Sequence, residues 1–233
     1  MDIGLNRYRQ GELLYANKLE SPADVEGFRM EGPGVLSFPN GMMRMESRLD
    51  PSAGQNANFV LWCPVEFPDS FVVRWDFRPI REPGLCMLFF AAAGAQGEDL
   101  FDPSLAPRSG PYNQYHSGDI NAYHIAYFRR ALPDERALHV CNLRKSRGMH
   151  LVAQGADPIP GVAEVQGTYR IELVKAGGDI RFMIQGLPVL NWIDDGETLG
   201  PVLGRGRIGF RQLVPLIADY ANLEVHALEP IEG

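Results

Sequence analysis

The residues best suited to proton transfer and anion binding crowd one stretch of the chain. Residues 109–145 hold three of the five histidines, His116, His124 and His139, with Tyr112, Tyr115, Tyr123 and Tyr127. Asp119, Asn121, Arg129, Asn142 and Arg144 lie among them. Histidine and tyrosine can take up or release a proton, and guanidinium or amide groups can hold a carboxylate. A strand pair kept only for architecture has no need of so many polar and aromatic side chains. The stretch is therefore read as the wall of a binding groove.

Two strands must position these groups, over residues 122–130 and 137–145, joined by a turn containing Pro133. Side chains alternate across a strand. Asn121, Tyr123, Ile125, Tyr127 and Arg129 then share one face, and Ala122, His124, Ala126, Phe128 and Arg130 the other. The second face, with two alanines and a phenylalanine, reads as the core side and makes His124 a core histidine. The first is more polar and reads as groove. On the following strand Asn142 and Arg144 share a face, and Arg144 suits either a carboxylate clamp or a cross-strand ion pair. His116 precedes the first strand in a Gly-containing loop. Arg211 and Gln212 follow an apolar strand and either reach the same groove or cap the sheet.

The remainder of the chain alternates short apolar runs with turns. Gly 25 and Pro 18 among 233 residues, spread evenly, favour short strands over a helical bundle. Phe71, Val73, Trp75 and Phe77 alternate with polar partners, as in a sheet with one buried face. Residues 85–93 are apolar on both faces and read as a central strand. Asn40-Gly41 marks a tight turn. Residues 169–175 and 179–185 form a hairpin, and the first apolar piece is expected to pair with the last strand. About a dozen strands without repeat or linker give an all-β sandwich of two antiparallel sheets in one domain, residues 1–233.

Bulk properties exclude several classes. A net charge of -7 opposes non-specific nucleic-acid binding. No apolar run is long enough to cross a membrane as a helix. The N-terminus lacks a basic start followed by an apolar run, so a cytoplasmic location is expected. Cys63, Cys86 and Cys141 are few and far apart, which suits buried free thiols rather than disulfides or a zinc site. Oligomeric state is left open.

Several runs together carry a resemblance: LLYANKL, FPNGMMRM, LWCPVEFPDSFVVRWDFRP, GEDLFDP, YNQYHSGDINAYHIAYFRR, CNLRK, QGADPIP, WIDDG and GRIGFRQ. They resemble, over nearly the whole chain, a bacterial domain-of-unknown-function family typified by YesU of pectin-utilisation gene clusters. The resemblance implies a concanavalin-A-like jelly roll, a scaffold of many lectins, glucanases and polysaccharide lyases. It also implies an oligosaccharide ligand containing uronate units. Such folds often hold calcium, which keeps a calcium ion open here although no loop has dense oxygen-ligand spacing; no other cofactor is expected.

A fold does not fix a reaction, so three function classes stay in view. Elimination from a uronate would draw its base and acid from His116, His124 and Tyr127. Asp119, Tyr123, Arg129, Asn142, Arg144 and Gln212 would then hold the sugar or its carboxylate. A non-catalytic sugar-binding module would need only the groove. A glycosidase would need two carboxylates, yet the Glu-x-Asp-x-x-Glu string is absent, which leaves dispersed candidates such as Asp102, Asp119 and Glu135. The adjacent pairs Glu98-Asp99 and Asp194-Asp195 read as solvated turns or a calcium-type loop. Gly110-Pro111-Tyr112-Asn113-Gln114 resembles the end of a motif of alginate-type lyases. It lies mid-chain without the accompanying Gln-Ile-His string, and is set aside as coincidence. Trp75 reads as core; Trp192 reads as core or as a groove lip.

Overall fold

A computed structural model describes residues 8–130 and 139–231. In chain order the strands are β1 (Tyr8–Asn17), β2 (Arg29–Glu31), β3 (Gly34–Ser37), β4 (Met43–Ser47), β5 (Phe59–Phe67), β6 (Phe71–Arg81), β7 (Gly84–Gly94) and β8 (Ile120–Arg130). They continue as β9 (Val140–Ser146), β10 (His150–Ala156), β11 (Tyr169–Ala176), β12 (Asp179–Ile184), β13 (Leu187–Ile193), β14 (Gly206–Leu213) and β15 (Ile217–Pro230). One helical turn, α1 (Asn113–His116), stands between β7 and β8.

The strands form two antiparallel sheets. Sheet A runs β13-β12-β11-β6-β15-β4-β3, with β1 also paired to β15. Sheet B runs β10-β9-β8-β7-β14-β5-β2. Tyr8 opposes Pro230 and Asn17 opposes Leu223, so the expected pairing of first and last strands holds. The β11–β12 hairpin also holds, with Ala176 opposite Asp179. The expected tight turn is formed by Asn40 and Gly41, whose φ angles of 57° and 67° suit those residues.

Alternation decides which side chains meet. Phe71, Val73, Trp75 and Phe77 point from β6 into the space between the sheets, where Leu61, Leu88, Ile125, Leu143 and Phe210 meet them. The outer face of β7, carrying Leu85, Met87 and Phe89, is buried too. The reading of β7 as a strand packed on both sides therefore stands, and something must cover the outside of sheet B. Cys63, Cys86 and Cys141 are buried free thiols.

Candidate functional site

Strand β8 shows which face of sheet B is which, and it reverses the expectation. Tyr123 and Tyr127 point into the core between the sheets, not into a groove. Trp75 Nε1 donates to the Tyr127 hydroxyl at 3.2 Å, and the Tyr127 ring packs edge-on against Phe77 at 5.1 Å. The Tyr123 hydroxyl donates to Asp194 at 2.5 Å and accepts from the Leu203 amide at 3.0 Å. A tyrosine ring is a large apolar surface, and burial is favourable once its hydroxyl has a partner. Ala122 and Ala126 mark the outer face; they are small because another segment packs on top of them. Gln212 is likewise between the sheets, donating to Met45 O at 3.0 Å and accepting from Tyr220 at 2.9 Å. Tyr123, Tyr127 and Gln212 thus lie away from any surface groove.

A bulge then changes the parity. Phe128 has a φ of 47° and joins Tyr127 in the core. Arg130 is buried and pairs with Asp157 at 3.1 Å. Arg129 sits near enough to Tyr112 for its charge to act on that phenol.

The register sets out the outer face in rows. Arg144, His124, Phe89, Gly209 and Trp62 form one row across β9, β8, β7, β14 and β5. Asn142, Ala126, Met87, Arg211 and Val60 form the next. Leu85 and Leu213 lie beyond it. Gly209 lacks a side chain because the Trp62 ring lies across it; a Cβ there would stand 2.3 Å from the ring.

The connection from β7 to β8, residues 95–119, folds over the first row. Its Leu100 and Tyr115 join Val60, Trp62, Phe89 and Ala122 in a second apolar cluster. Polar ties hold it down. Arg108 forks onto the buried Glu31 at 3.0 and 3.2 Å, and Glu31 also accepts from Trp62 at 2.9 Å. Arg211 donates to Gly110 O at 2.6 Å, and Gly148 N donates to His116 O at 2.6 Å. Gly110 has a φ of 116°, and a Cβ there would lie 2.0 Å from Asn58 O, so only glycine passes. Asp119 accepts from the Ala106 amide at 2.5 Å, so it staples this connection.

The arrangement gathers a polar cluster at the edge of the covered zone. The Tyr112 hydroxyl and His124 Nε2 are 2.6 Å apart, and Nδ1 of His124 has no hydrogen-bond partner. Burial, with the nearby charges of Arg144 and Arg211, holds the His124 pKa down to about 3, so the ring is neutral. Burial raises the Tyr112 pKa, while Arg144, Arg211 and Arg129 pull it back. His116 stacks edge-on to Tyr112 at 4.6 Å, and burial together with Arg211 and Arg144 lowers its pKa. Arg211 is fully buried between the rings of Tyr112 and Tyr115, 5.2 Å from each, and burial lowers its pKa to about 10. Arg144 donates to Met149 O at 2.7 Å. Among the described residues neither Arg144 nor Arg211 meets a carboxylate within 4.0 Å. Beside this cluster Leu85, Met87 and Ala126 form a small buried apolar cluster, with Tyr112 and Leu213 packed against it. Asn142 borders it and accepts from Gln154 at 2.8 Å.

Of the sequence candidates, the fold brings together His116, His124, Arg129, Asn142 and Arg144. It adds Tyr112 and Gln154, and it sets Arg211, whose place was left open, beside them. Tyr112 had a visible signal, the Gly110–Gln114 string set aside as coincidence. Arg211 was read beside Gln212 as reaching the groove or capping the sheet, because strand parity alone did not say which face of β14 was outside.

The remaining carboxylate candidates are occupied elsewhere. Asp194, expected in a solvated turn, is buried and pairs with Lys145 at 2.7 Å. Asp195 caps Thr198, and Asp102 caps Ser104. Asp99 pairs with Arg207 at 2.6 Å. Glu135 lies outside the described residues, as does the turn between β8 and β9. Among the described residues no three His, Cys, Asp or Glu side chains gather as metal ligands. Trp192 is half-buried and meets Tyr123 edge-on at 6.1 Å.

Residues 12–225 match the family described as Domain of unknown function (DUF1961). The chain belongs to this family. It is 54% identical over 219 residues to the uncharacterised protein YesU of Bacillus subtilis (strain 168), spanning 94% of this chain and 97% of YesU. A Bacillus subtilis crystal structure, described as a protein of unknown function with a galectin-like fold, superposes with a TM-score of 0.90. It is 54% identical, with 95% of this chain and 98% of that one covered. The expected family and two-sheet fold are both shown. The DUF1961 domain also superposes on the exoplasmic/lumenal domain of VIP36 in its Ca2+/Man3GlcNAc-bound form, with a TM-score of 0.60. That pair is 9% identical, covering 95% of this chain and 92% of the VIP36 domain's chain, and shares the fold alone.

Proposed function

We propose that this protein binds a uronate-containing oligosaccharide on the outer face of sheet B and cleaves it by β-elimination. One observation carries the reading: the Tyr112 hydroxyl, set 2.6 Å from the buried neutral His124, stands within the charge influence of Arg129, Arg144 and Arg211. Proton-transfer groups ringed by guanidinium groups suit an anionic sugar. The sugar-bound VIP36 domain, built on the same fold, supports recognition of carbohydrate by this architecture.

In the reaction, Arg144, Arg129 and Asn142 hold the carboxylate and stabilise the charge that develops on it. Neutral His116 takes the proton from C5. The electron pair forms the C4–C5 double bond as the C4–O4 bond breaks, and the Tyr112 hydroxyl protonates the departing oxygen. His124 is too deeply buried to touch substrate and acts as a positioning residue for Tyr112. No described side chain pointing out of β7, β8 or β9 is a carboxylate, which disfavours a two-carboxylate glycosidase.

Absorbance at about 235 nm reports the unsaturated product of such an elimination. Wild-type protein should generate it from a uronate oligosaccharide, and Tyr112→Phe should lower the rate at least about 100-fold. Calorimetric binding with no product from any uronate substrate would leave a non-catalytic binding module instead.

A further inference from the structure

The outer face of sheet A lies across the core from the site just described, and it carries a row of charge. Glu172 on β11, Arg74 on β6 and Glu224 on β15 stand opposite one another on three adjacent strands. A bulge creates the row. One extra residue in β15 beside Asn222, whose φ is 50°, turns Leu223 into the core and sets Glu224 opposite Arg74. A ladder kept only for sheet stability would close Glu224 onto the guanidinium it faces. Instead Glu224 accepts from Arg170 Nη2 at 2.8 Å, and Arg170 also reaches Asp76 at 3.2 Å. Arg74, 7% exposed, donates from Nε to Glu172 and from Nη1 to Gln10 at 2.8 Å. Its Nη2 has no partner, and neither has Nδ1 of His226, two residues along β15 from Glu224. Buried nitrogens of this kind ordinarily have partners.

These side chains line a cavity of about 360 Å³, with Gly186 of the β12–β13 turn completing its wall. That volume falls in the range of small-ligand sites. The cavity meets solvent: Gly186 is exposed, and the Glu224 side chain is 43% exposed. We infer that it is a second ligand site and that it takes a neutral sugar ring. Its two guanidinium groups and two carboxylates balance, so net charge favours neither an anion nor a cation. The wall offers a donor at Arg74 Nη2. It also offers acceptors, since the described hydrogen bonds of Glu172 and Glu224 use only Oε2 of each. A hydroxyl both donates and accepts, so neighbouring hydroxyls of a sugar accept from Arg74 and donate to Glu172 or Glu224. Such bonds to charged partners are the strong ones. The two sites lie on opposite sheets and share no residue, so this one does not depend on the acidic-sugar reading.

Amide NMR titrations with the methyl glycosides of galactose, glucose, mannose, rhamnose, arabinose and xylose test this. At least one glycoside should shift the amides of Glu172, Gly186, Glu224 and His226 in a saturable way, with a Kd of about 1 mM. Glu224→Ala removes the most exposed of the four charged side chains. Arg74→Lys keeps the charge and loses the planar fork. Each should raise the Kd at least about tenfold. Arg144→Ala, on the other sheet, should leave it unchanged. The same spectra report that the variants keep the fold. No shift at these amides with any of the six glycosides, or a Kd that Glu224→Ala or Arg74→Lys leaves unchanged, overturns the inference. Shifts there with galacturonate alone would make the ligand an anion and overturn it too. The elimination assay is read separately, so its failure and the failure of this site are distinguishable.

Discussion

The two histidines beside Tyr112 differ in burial, and the roles proposed for them differ accordingly. His124 is sealed under Tyr112 and against Phe89, 5.1 Å from that ring, and stays neutral. Its folded pKa of about 3 lies below the ordinary value of 6.5. Between those values the unfolded chain binds a proton that the folded protein refuses, so stability falls as pH drops below 6.5. The loss from this group alone should reach about 2 kcal/mol by about pH 5. Urea unfolding at neutral pH and at pH 5 should show that slope in wild type and lose it in His124→Gln. Equal slopes in the two proteins would remove His124 from the account. His116 is half-buried, which suits the role of base proposed for it. Tyr112→Phe should cost about 1 kcal/mol of stability through the lost hydrogen bond, far less than its effect on rate.

At the scale of the strand, β8 separates architecture from function by face. Tyr127 faces the core, and Arg144, on the neighbouring β9, lies on the outer face where the uronate site is proposed. Tyr127→Phe should lower stability by about 1 kcal/mol and leave uronate binding unchanged. Arg144→Ala should do the reverse, with stability nearly constant and affinity for a uronate reduced by about 1.5–3 kcal/mol. Paired unfolding and calorimetric titrations of both variants decide it; exchanged phenotypes would mean that the faces are wrongly assigned. The cover over sheet B depends on Glu31, a buried carboxylate with a forked Arg108 partner and Trp62 beside it. Glu31→Ala strands a buried guanidinium and should cost about 3–5 kcal/mol. Hydrogen exchange in residues 95–119 should quicken in that variant more than in sheet A.

For the whole molecule, the two sheets share one apolar cluster running from Leu19 to Val225, and β15 pairs with β1, β4 and β6. Chain ends and middle are therefore bound into a common core. Calorimetric unfolding should show one cooperative transition, with the van't Hoff and calorimetric enthalpies equal. Two resolved transitions would mean that the sheets fold as separate units.

The sequence alone determined the strands, their turns and the pairing of first with last. Those features come from local periodicity: β6 alternates, β7 is apolar throughout, and Asn40-Gly41 permits the tight turn. It also singled out one stretch for the proposed site, and the fold brings its His116, His124, Arg129, Asn142 and Arg144 near one another. Only the tertiary structure decided which face of β8 is inside. Parity sorts side chains into two sets without naming either, and the aromatic set went inward because Trp75 and Asp194 supply partners for its hydroxyls. Packing likewise decided that Tyr112 and Arg211 meet, 99 residues apart in sequence by their numbers. No local pattern encodes a contact made by laying a loop across a sheet.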